Sequence, residues 1–289
     1  MTTSKPFRDK IRHLKEEYER LRPGKDNLLK LLEEAELSES VYNSNAIENS
    51  TLTLPETEKI LLEMELSRNV SLREVFEAKN LARIIEYLYT KNDNLKLSKE
   101  VILFLHKMLL GNINDEFAGQ FRKKGEYVRV GTYIAPPPEF VPQYIEDLLI
   151  DFQSNIGDYF LDRITIFHLQ FEHIHPFCDG NGRMGRVLMN LQLKQFGFPP
   201  VIIRNKEKQD YYAALRTYDA SKNTKPMGRI IGLALIESLN KRVAYLRGLK
   251  IVPLAEYAKR KKSSFPALLN AAKRQTIPAF REKGVWSIA

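Results

Sequence analysis

Cysteine and histidine are scarce in this chain of 289 residues, which holds one cysteine, Cys178, and five histidines. A single cysteine excludes a disulfide within the chain and a metal cluster built on cysteine ligands. The histidines also lack the spacing of known zinc helices, in which two histidines stand four residues apart with a glutamate between them. We therefore expect neither a disulfide-stabilised domain nor a zinc enzyme.

Long apolar runs are also missing. No run approaches the roughly 20 residues that a bilayer-spanning helix needs. Residues 1–10 are polar and lack the apolar stretch of a secretory signal. We therefore expect no membrane partner and a cytoplasmic location.

Acidic residues are rare in the last 49 residues. Residues 241–289 hold 12 of the 45 Lys and Arg but only two of the 36 Asp and Glu, so the net charge of +9 is concentrated there. Residues 254–258 and 265–274 predict two short helices, and apolar runs on either side of Glu282-Lys283-Gly284 predict a hairpin. This order is the outline of a winged helix-turn-helix and resembles the small DNA-binding domains of phage excisionases. DNA binding by residues 252–289 is one interpretation, and a lid that packs on the rest of the chain is the other.

Most of the remaining sequence shows the three-to-four spacing of apolar side chains that is typical of amphipathic helices. Residues 121–135 alternate apolar and polar side chains instead, and they predict a short β-hairpin that ends at three prolines. The expected fold class is therefore all-α with one small hairpin. The predicted helices cover residues 7–21, 26–32, 39–49, 54–66, 72–89, 98–110, 141–154, 160–173, 183–196, 210–221 and 227–246.

The segment 175–186, HPFCDGNGRMGR, is a glycine-rich loop that leads into a helix. Pro176 ends the preceding helix, and the run from Asp179 to Gly182 favours tight turns. A loop of this kind binds anions through the backbone N–H groups at the start of the following helix. Arg183 and Arg186 add forked, charged donors that suit phosphate oxygens.

Two further side chains of this segment can take part in chemistry. Asp179 is a hard oxygen ligand of the type that Mg²⁺ prefers. His175 titrates near neutral pH and can act as a general base. The combination of anion site, metal ligand and base within twelve residues predicts phosphoryl or nucleotidyl transfer.

The same segment resembles the signature of the Fic (filamentation induced by cAMP) family, H-P-F-x-(D/E)-G-N-G-R-x-x-R, at every fixed position. Residues 119–122 and 130–137 resemble the lead-in and the β-hairpin flap of that family, and residues 211–215 resemble the helix that closes its nucleotide pocket. The resemblance runs from about residue 7 to 246. It implies a Fic-fold helical bundle with an N-terminal helical region at 1–96, a catalytic core at 97–246 and a winged-helix-like appendage at 247–289.

The resemblance implies a protein adenylyltransferase with ATP as substrate and Mg²⁺ held by Asp179. His175 would deprotonate a Ser, Thr or Tyr hydroxyl on a target protein, and the enzyme itself is one candidate target. The implied nucleotide contacts are Phe177, Gly180, Asn181, Gly182, Arg183, Arg186, Tyr211 and Tyr212. The implied target-docking flap consists of Val130, Gly131, Thr132 and Tyr133.

A second motif, from Ser44 to Asn49, resembles the inhibitory motif of the family, (S/T)-x-x-x-E-(G/N), in the class whose inhibitory helix precedes the core. Ser44 and Glu48 stand four residues apart and share one helical face. The resemblance implies that Glu48 pairs bidentately with Arg186, which would otherwise hold the γ-phosphate. The enzyme would then be autoinhibited.

Three functions remain open from the sequence. AMP transfer is favoured because Arg186 and the G-N-G-R core are intact. Some members of the resembled family instead transfer phosphate or UMP, or remove AMP by orienting water with the inhibitory glutamate. A DNA-bound regulator acting through residues 252–289 is the third function. The oligomeric state is open, with a homodimer as one candidate.

Overall fold

A computed structural model describes residues 3–63, 70–90, 95–131 and 133–289. The helices in these ranges are α1 (Lys5–Leu21), α2 (Asp26–Ile47), α3 (Leu54–Glu58), α4 (Leu72–Thr90), α5 (Lys99–Leu110), α6 (Val141–Ser154), α7 (Phe160–Ile174), α8 (Asn181–Gln195), α9 (Lys208–Ser221), α10 (Lys225–Leu246), α11 (Leu254–Arg260) and α12 (Phe265–Lys273). The strands are β1 (Arg129–Val130), β2 (Tyr133–Ile134), β3 (Val252–Pro253), β4 (Ala279–Glu282) and β5 (Val285–Ile288). The mostly helical fold with small antiparallel sheets confirms the predicted class.

Helix α2 differs from its prediction. Residues 26–32 and 39–49 were expected to form two helices, but α2 runs unbroken from Asp26 to Ile47. The residues between the two predicted segments include no glycine or proline that would stop a helix. The continuous helix carries Ser44 near its C-terminal end, and Glu48 is its C-cap residue.

The predicted helix at 54–66 also has a different form. Thr53 and Glu56 make a capping box at the start of α3, and the helix changes to a π-helical turn at Lys59–Glu63. Residues 64–66 of that prediction lie outside the described residues. Downstream, Ser98 caps α5 as predicted, because its side chain accepts a hydrogen bond from Val101 N–H.

Helices α7 and α8 lie at the centre of the main hydrophobic core. Helix α7 packs against α6, α8 and α10, while α4 packs against α5 and α2. Buried apolar side chains such as Phe167, Phe171 and Leu188 fill the spaces between these helices. The loop between α7 and α8, which is the predicted chemical segment, is thereby fixed on both sides by buried helices.

The C-terminal residues form the predicted order of two helices and a hairpin. Strand β5 pairs with β4 and also with β3, a short strand that was not predicted. A small second core of Val252, Leu254, Ala272, Ala279 and Ile288 joins the helices to this sheet. The winged-helix likeness and the boundaries proposed at residues 96 and 246 stay predictions.

None of the helices in the described ranges combines the length and the apolar character that a bilayer crossing requires.

Candidate active site

The loop between α7 and α8 is held by a pair of hydrogen bonds from one side chain. Phe177 N–H donates to Asn181 Oδ1 at 2.9 Å, and Asn181 Nδ2 donates to the Phe177 carbonyl at 2.8 Å. His175 and Gly180 turn the chain through left-handed conformations, with φ of 50° and 82°. Asn181 is therefore a structural clamp of the loop, and α8 begins directly after the second turn.

Helix α5 supports the same loop through a histidine that the sequence did not single out. The ring of His106 stacks on buried Phe177 with centroids 3.6 Å apart. Gly119 N–H donates to His106 Nδ1, so the proton of the ring lies on Nε2, which is 3.0 Å from the Asp179 carbonyl. Burial lowers the pKa of His106 to about 4 and keeps the ring neutral. His106 therefore fixes the backbone of Asp179.

His175 is positioned to act as a base. Its Nδ1 lies 3.2 Å from the Glu172 carbonyl, which places the proton on Nδ1 and leaves the lone pair of Nε2 to accept a proton. Burial lowers the pKa of His175 to about 4, so the ring is neutral at pH 7. Arg122 donates to the His175 carbonyl at 2.8 Å and also to the Pro136 carbonyl beyond the flap. The base and the flap are thus tied to one side chain.

Asp179 is flanked by two arginines. Arg183 Nη2 lies 3.2 Å from Asp179 Oδ1, and Arg73 of α4 contacts Oδ2. Burial alone would raise the pKa of Asp179, but Arg183 and Arg73 outweigh it and hold the pKa below its usual value. The ionised carboxylate lines a cavity of about 380 Å³ that Glu48, Gly180 and Arg183 also line.

The donor set around Asp179 fits Mg²⁺. Mg²⁺ is usually bound by one or two carboxylates and completes its shell with water and substrate phosphates. Asp179 supplies one ionised carboxylate beside an anion-binding helix start, which fits that pattern. The described residues include no cluster of three or more His, Cys, Asp or Glu that could hold a metal by themselves. The site therefore suits a metal that arrives with a phosphate ligand.

Ser44, Glu48 and Arg186 meet as the sequence predicted, with a different geometry. Arg186 Nη2 lies 3.0 Å from Glu48 Oε1. The Nε of Arg186 donates to Ser44 Oγ at 3.0 Å, and Nη2 donates to the Ser44 carbonyl at 2.8 Å. The bidentate pairing expected for Glu48 is therefore replaced by a guanidinium shared between Glu48 and Ser44, which lies one helical turn earlier.

The Glu48 carboxylate lies over the first turn of α8. A Cβ built on Gly182 would overlap Glu48 Oε1, so the carboxylate lies directly against this glycine. Burial alone would lower the pKa of Arg186, but Glu48 outweighs it and raises the pKa. Glu48 thus occupies the helix N-terminus at which the sequence predicted a phosphate.

Tyr211 and Tyr212, which are predicted to contact nucleotide, also support this arrangement. Tyr211 is buried, its hydroxyl lies 2.8 Å from His168 Nε2, and Arg186 Cζ lies 5.9 Å from the centre of its ring. Tyr212 OH donates to the Ile47 carbonyl at 3.0 Å. Asn49, the last residue of the predicted motif, accepts a hydrogen bond from Lys208 at 2.7 Å. These contacts hold the end of α2 beside α9.

The predicted flap is a two-stranded antiparallel sheet. Arg129 pairs with Ile134 and Val130 with Tyr133, and Gly131 turns the chain with a φ of 57°. Thr132 lies outside the described residues. Tyr133 OH donates to the His173 carbonyl at 3.0 Å, which anchors the flap to the end of α7 next to His175.

Sequence reasoning missed three charged residues of this region. Arg73 contacts Asp179, and Glu77 lies 3.2 Å from Arg183. Glu172 is buried against Gly185, and burial raises its pKa to about 8. Glu172 stands three residues before His175, so helical spacing could have placed it at the site. No local signal links Arg73 to a carboxylate 106 residues later.

Comparison with known proteins gave one family match. Residues 96–193 match the model of the Fic/DOC family. The chain is 33% identical over 180 residues to protein adenylyltransferase fic-1 of Caenorhabditis elegans, covering 61% of this chain and 35% of the relative. It is 31% identical over 221 residues to protein adenylyltransferase Fic of Nematostella vectensis, covering 74% of this chain and 50% of the relative. The chain thus spans between a third and a half of the length of these two relatives.

A solved structure gives the same likeness. The fold is similar to that of a Fic domain containing signaling protein from Bacteroides thetaiotaomicron, with a TM-score of 0.75 and 25% identity. The alignment covers 83% of this chain and 98% of the other.

Proposed function

The chain belongs to the Fic family, and on that premise we propose that it is a protein adenylyltransferase, which moves AMP from ATP to a Ser, Thr or Tyr hydroxyl of a target protein. One observation carries the proposal: the loop 175–186 places a neutral histidine and an ionised aspartate beside a helix N-terminus that is already occupied by a carboxylate. The names of the relatives support the same chemistry.

The proposed reaction is a single displacement at the α-phosphorus. The Nε2 of His175 accepts the proton of the target hydroxyl, and the hydroxyl oxygen forms a bond to the α-phosphorus. The bond from that phosphorus to the bridging oxygen breaks, and pyrophosphate leaves. The backbone N–H groups of residues 180–182 face the phosphates at the start of α8. Asp179 would hold Mg²⁺, which would neutralise charge on the phosphates.

We propose that Arg183 and Arg186 bind the phosphates beyond the α-position, and that Glu48 competes with the phosphate for Arg186. The side chain of Arg186 is only 5% exposed and is shared by Glu48 and Ser44. A γ-phosphate that meets an occupied Arg186 has to bind elsewhere, and the α-phosphorus then sits out of line with the target oxygen. Glu48 therefore acts as an inhibitor built into α2.

The flap is the proposed docking surface for the target. In the described residues the two strands pair only with each other, which leaves a main-chain edge to which an extended target segment can add. Main-chain pairing selects an extended segment and reads little of its side chains. The anchoring of Tyr133 on the end of α7 sets the flap at a fixed place relative to His175.

The test is to follow the label from ATP that carries it at either the α- or the γ-phosphate. With Mg²⁺ and candidate target proteins, the Glu48→Gly protein is expected to transfer the α-label and not the γ-label. The further change His175→Ala should abolish transfer, whereas His13→Ala, an exposed histidine of α1, should leave it unchanged. EDTA should stop transfer if Mg²⁺ is required.

Three results would contradict this proposal. Transfer of the γ-label would indicate phosphorylation, and transfer that does not need His175 would place the chemistry elsewhere. Release of AMP from a modified target, without transfer from ATP, would indicate that the enzyme removes AMP.

The C-terminal hairpin packs on the main body, as the lid interpretation expects. Arg281 of β4 is buried and pairs with Glu237 of α10 and with Glu207. The N–H groups of Lys283 and Gly284, in the turn of the hairpin, donate to Glu39 of α2. The hairpin is thus engaged with the main body. DNA binding, a homodimer and a cytoplasmic location stay predictions.

A further inference from the structure

Arg73 engages the carboxylate that is proposed to hold Mg²⁺. Its Nη2 contacts Asp179 Oδ2, while its Nε lies 3.1 Å from Glu77 Oε1. Arg183 takes the other oxygen of Asp179, at 3.2 Å. Both oxygens of the metal carboxylate are therefore paired with guanidinium groups from two different helices.

The two arginines differ in how firmly they are held. The side chain of Arg183 is only 4% exposed and is fixed by Glu77 as well as by Asp179. The side chain of Arg73 is 56% exposed and lies at the rim of the 380 Å³ cavity. Ion pairs of exposed side chains contribute little and exchange readily with solvent. Arg73 is thus the partner of Asp179 that can leave at small cost.

The start of α4 also connects Arg73 to the inhibitory segment. Glu74, the next residue, accepts hydrogen bonds from Thr51 N–H at 2.6 Å and from Ser50 Oγ at 3.1 Å. Ser50 and Thr51 lie two and three residues after Glu48 in the chain. Glu74 therefore ties the segment after Glu48 to the turn of α4 that carries Arg73.

We propose that Arg73 is a positioning residue that holds Asp179 until a metal ion arrives with its nucleotide. A guanidinium and a divalent cation compete for the same carboxylate, because each neutralises its charge. Free Mg²⁺ that displaces Arg73 gains only one protein ligand, the carboxylate of Asp179. Mg²⁺ on nucleotide phosphates brings further ligands and displaces Arg73 more easily. The inference rests on the proposed function in that it takes Asp179 as the metal ligand.

The test uses Mn²⁺ as the probe and measures its binding by the loss of the free-ion signal in electron paramagnetic resonance. Without nucleotide, Arg73→Ala is expected to bind Mn²⁺ about fivefold more tightly than the wild type, which is the upper end for loss of an exposed ion pair. Arg73→Lys keeps the positive charge and should restore the wild-type affinity. Arg83→Ala, an exposed arginine of the same helix, is the matched control and should bind like the wild type.

A second comparison assigns the gain to Asp179. The double variant Arg73→Ala/Asp179→Ala should lose the extra affinity. Equal Mn²⁺ affinity in Arg73→Ala and the wild type would overturn the proposal, as would a gain that survives the loss of Asp179. Failure of the proposed function is distinguishable, since in that case Mn²⁺ binding shifts as expected while no α-label from ATP is transferred.

Discussion

Replacing Glu48 with glycine is expected to raise the rate of AMP transfer about a hundredfold. The change removes the carboxylate whose Oε1 lies 3.0 Å from Arg186 and which lies against Gly182. Both the arginine and the first turn of α8 then become available to phosphate. No other part of the proposed machinery is altered, because His175 and Asp179 make their contacts without Glu48.

The size of this effect follows from displacement of the substrate. A carboxylate at the start of α8 excludes a phosphate oxygen from the same place, so the triphosphate has to shift by at least about an atomic radius. A misplacement of about 1 Å at a reacting centre costs roughly a hundredfold in rate. The side chain of Arg186 is only 5% exposed, so loss of Glu48 leaves a buried guanidinium with its contacts to Ser44 and should also lower the stability of the fold.

The assay is the initial rate of α-label transfer from ATP at saturating Mg²⁺. The matched control is Glu34→Gly, which replaces an exposed glutamate of the same helix and lowers the helix stability by about 1 kcal/mol without touching Arg186. This control should stay at the wild-type rate. An unchanged rate for Glu48→Gly, or an equal gain for Glu34→Gly, would refute the account of Glu48 as a specific inhibitor.

Three further predictions concern contacts around the site. Ser44→Ala removes the hydroxyl that accepts a hydrogen bond from Arg186 Nε. We expect a rate gain of about tenfold in the same assay, which corresponds to the loss of one hydrogen bond to a charged group. No gain would show that Ser44 does not hold Arg186. Glu39→Gln weakens the buried ion pair with Arg204 and should lower the free energy of unfolding, measured in urea, by about 3 kcal/mol. A change below about 0.5 kcal/mol would contradict this. Burial lowers the pKa of His175 to about 4, so the base stays neutral as the pH falls. The transfer rate of Glu48→Gly should therefore stay level from pH 8 to 6 and fall only near pH 4. A fall in rate with its midpoint near the ordinary histidine pKa of about 6.5 would contradict the buried base.

Local sequence signals predicted most of the helices and the chemical loop. Ser98 capped a helix as expected, and the run from Asp179 to Gly182 formed a loop at the start of α8. These features depend on neighbours within a few residues, and their physical causes can be read from the sequence. The same holds for Ser44 and Glu48, which helical spacing placed on one face.

Features that depend on distant contacts could not be predicted. Glu39 accepts hydrogen bonds from the N–H groups of Lys283 and Gly284, almost 250 residues later. Arg73 contacts Asp179, which lies 106 residues later in the chain. Nothing close to these residues in the sequence indicates a partner. Helix α2 was divided wrongly because the polar residues in its middle interrupt the apolar pattern. Glu36 and Glu39 are in fact buried and pair with Arg242 and Arg204.

The loop 175–186 is proposed to attach AMP to a protein hydroxyl. The most direct measurement is mass spectrometry of a target incubated with ATP, Mg²⁺ and the Glu48→Gly protein, with fragmentation of the modified peptide. We expect an AMP group joined through a phosphodiester to Ser, Thr or Tyr. The AMP group should be absent when His175 is replaced by alanine. A phosphate on that residue, or an AMP group that still forms without His175, would contradict it.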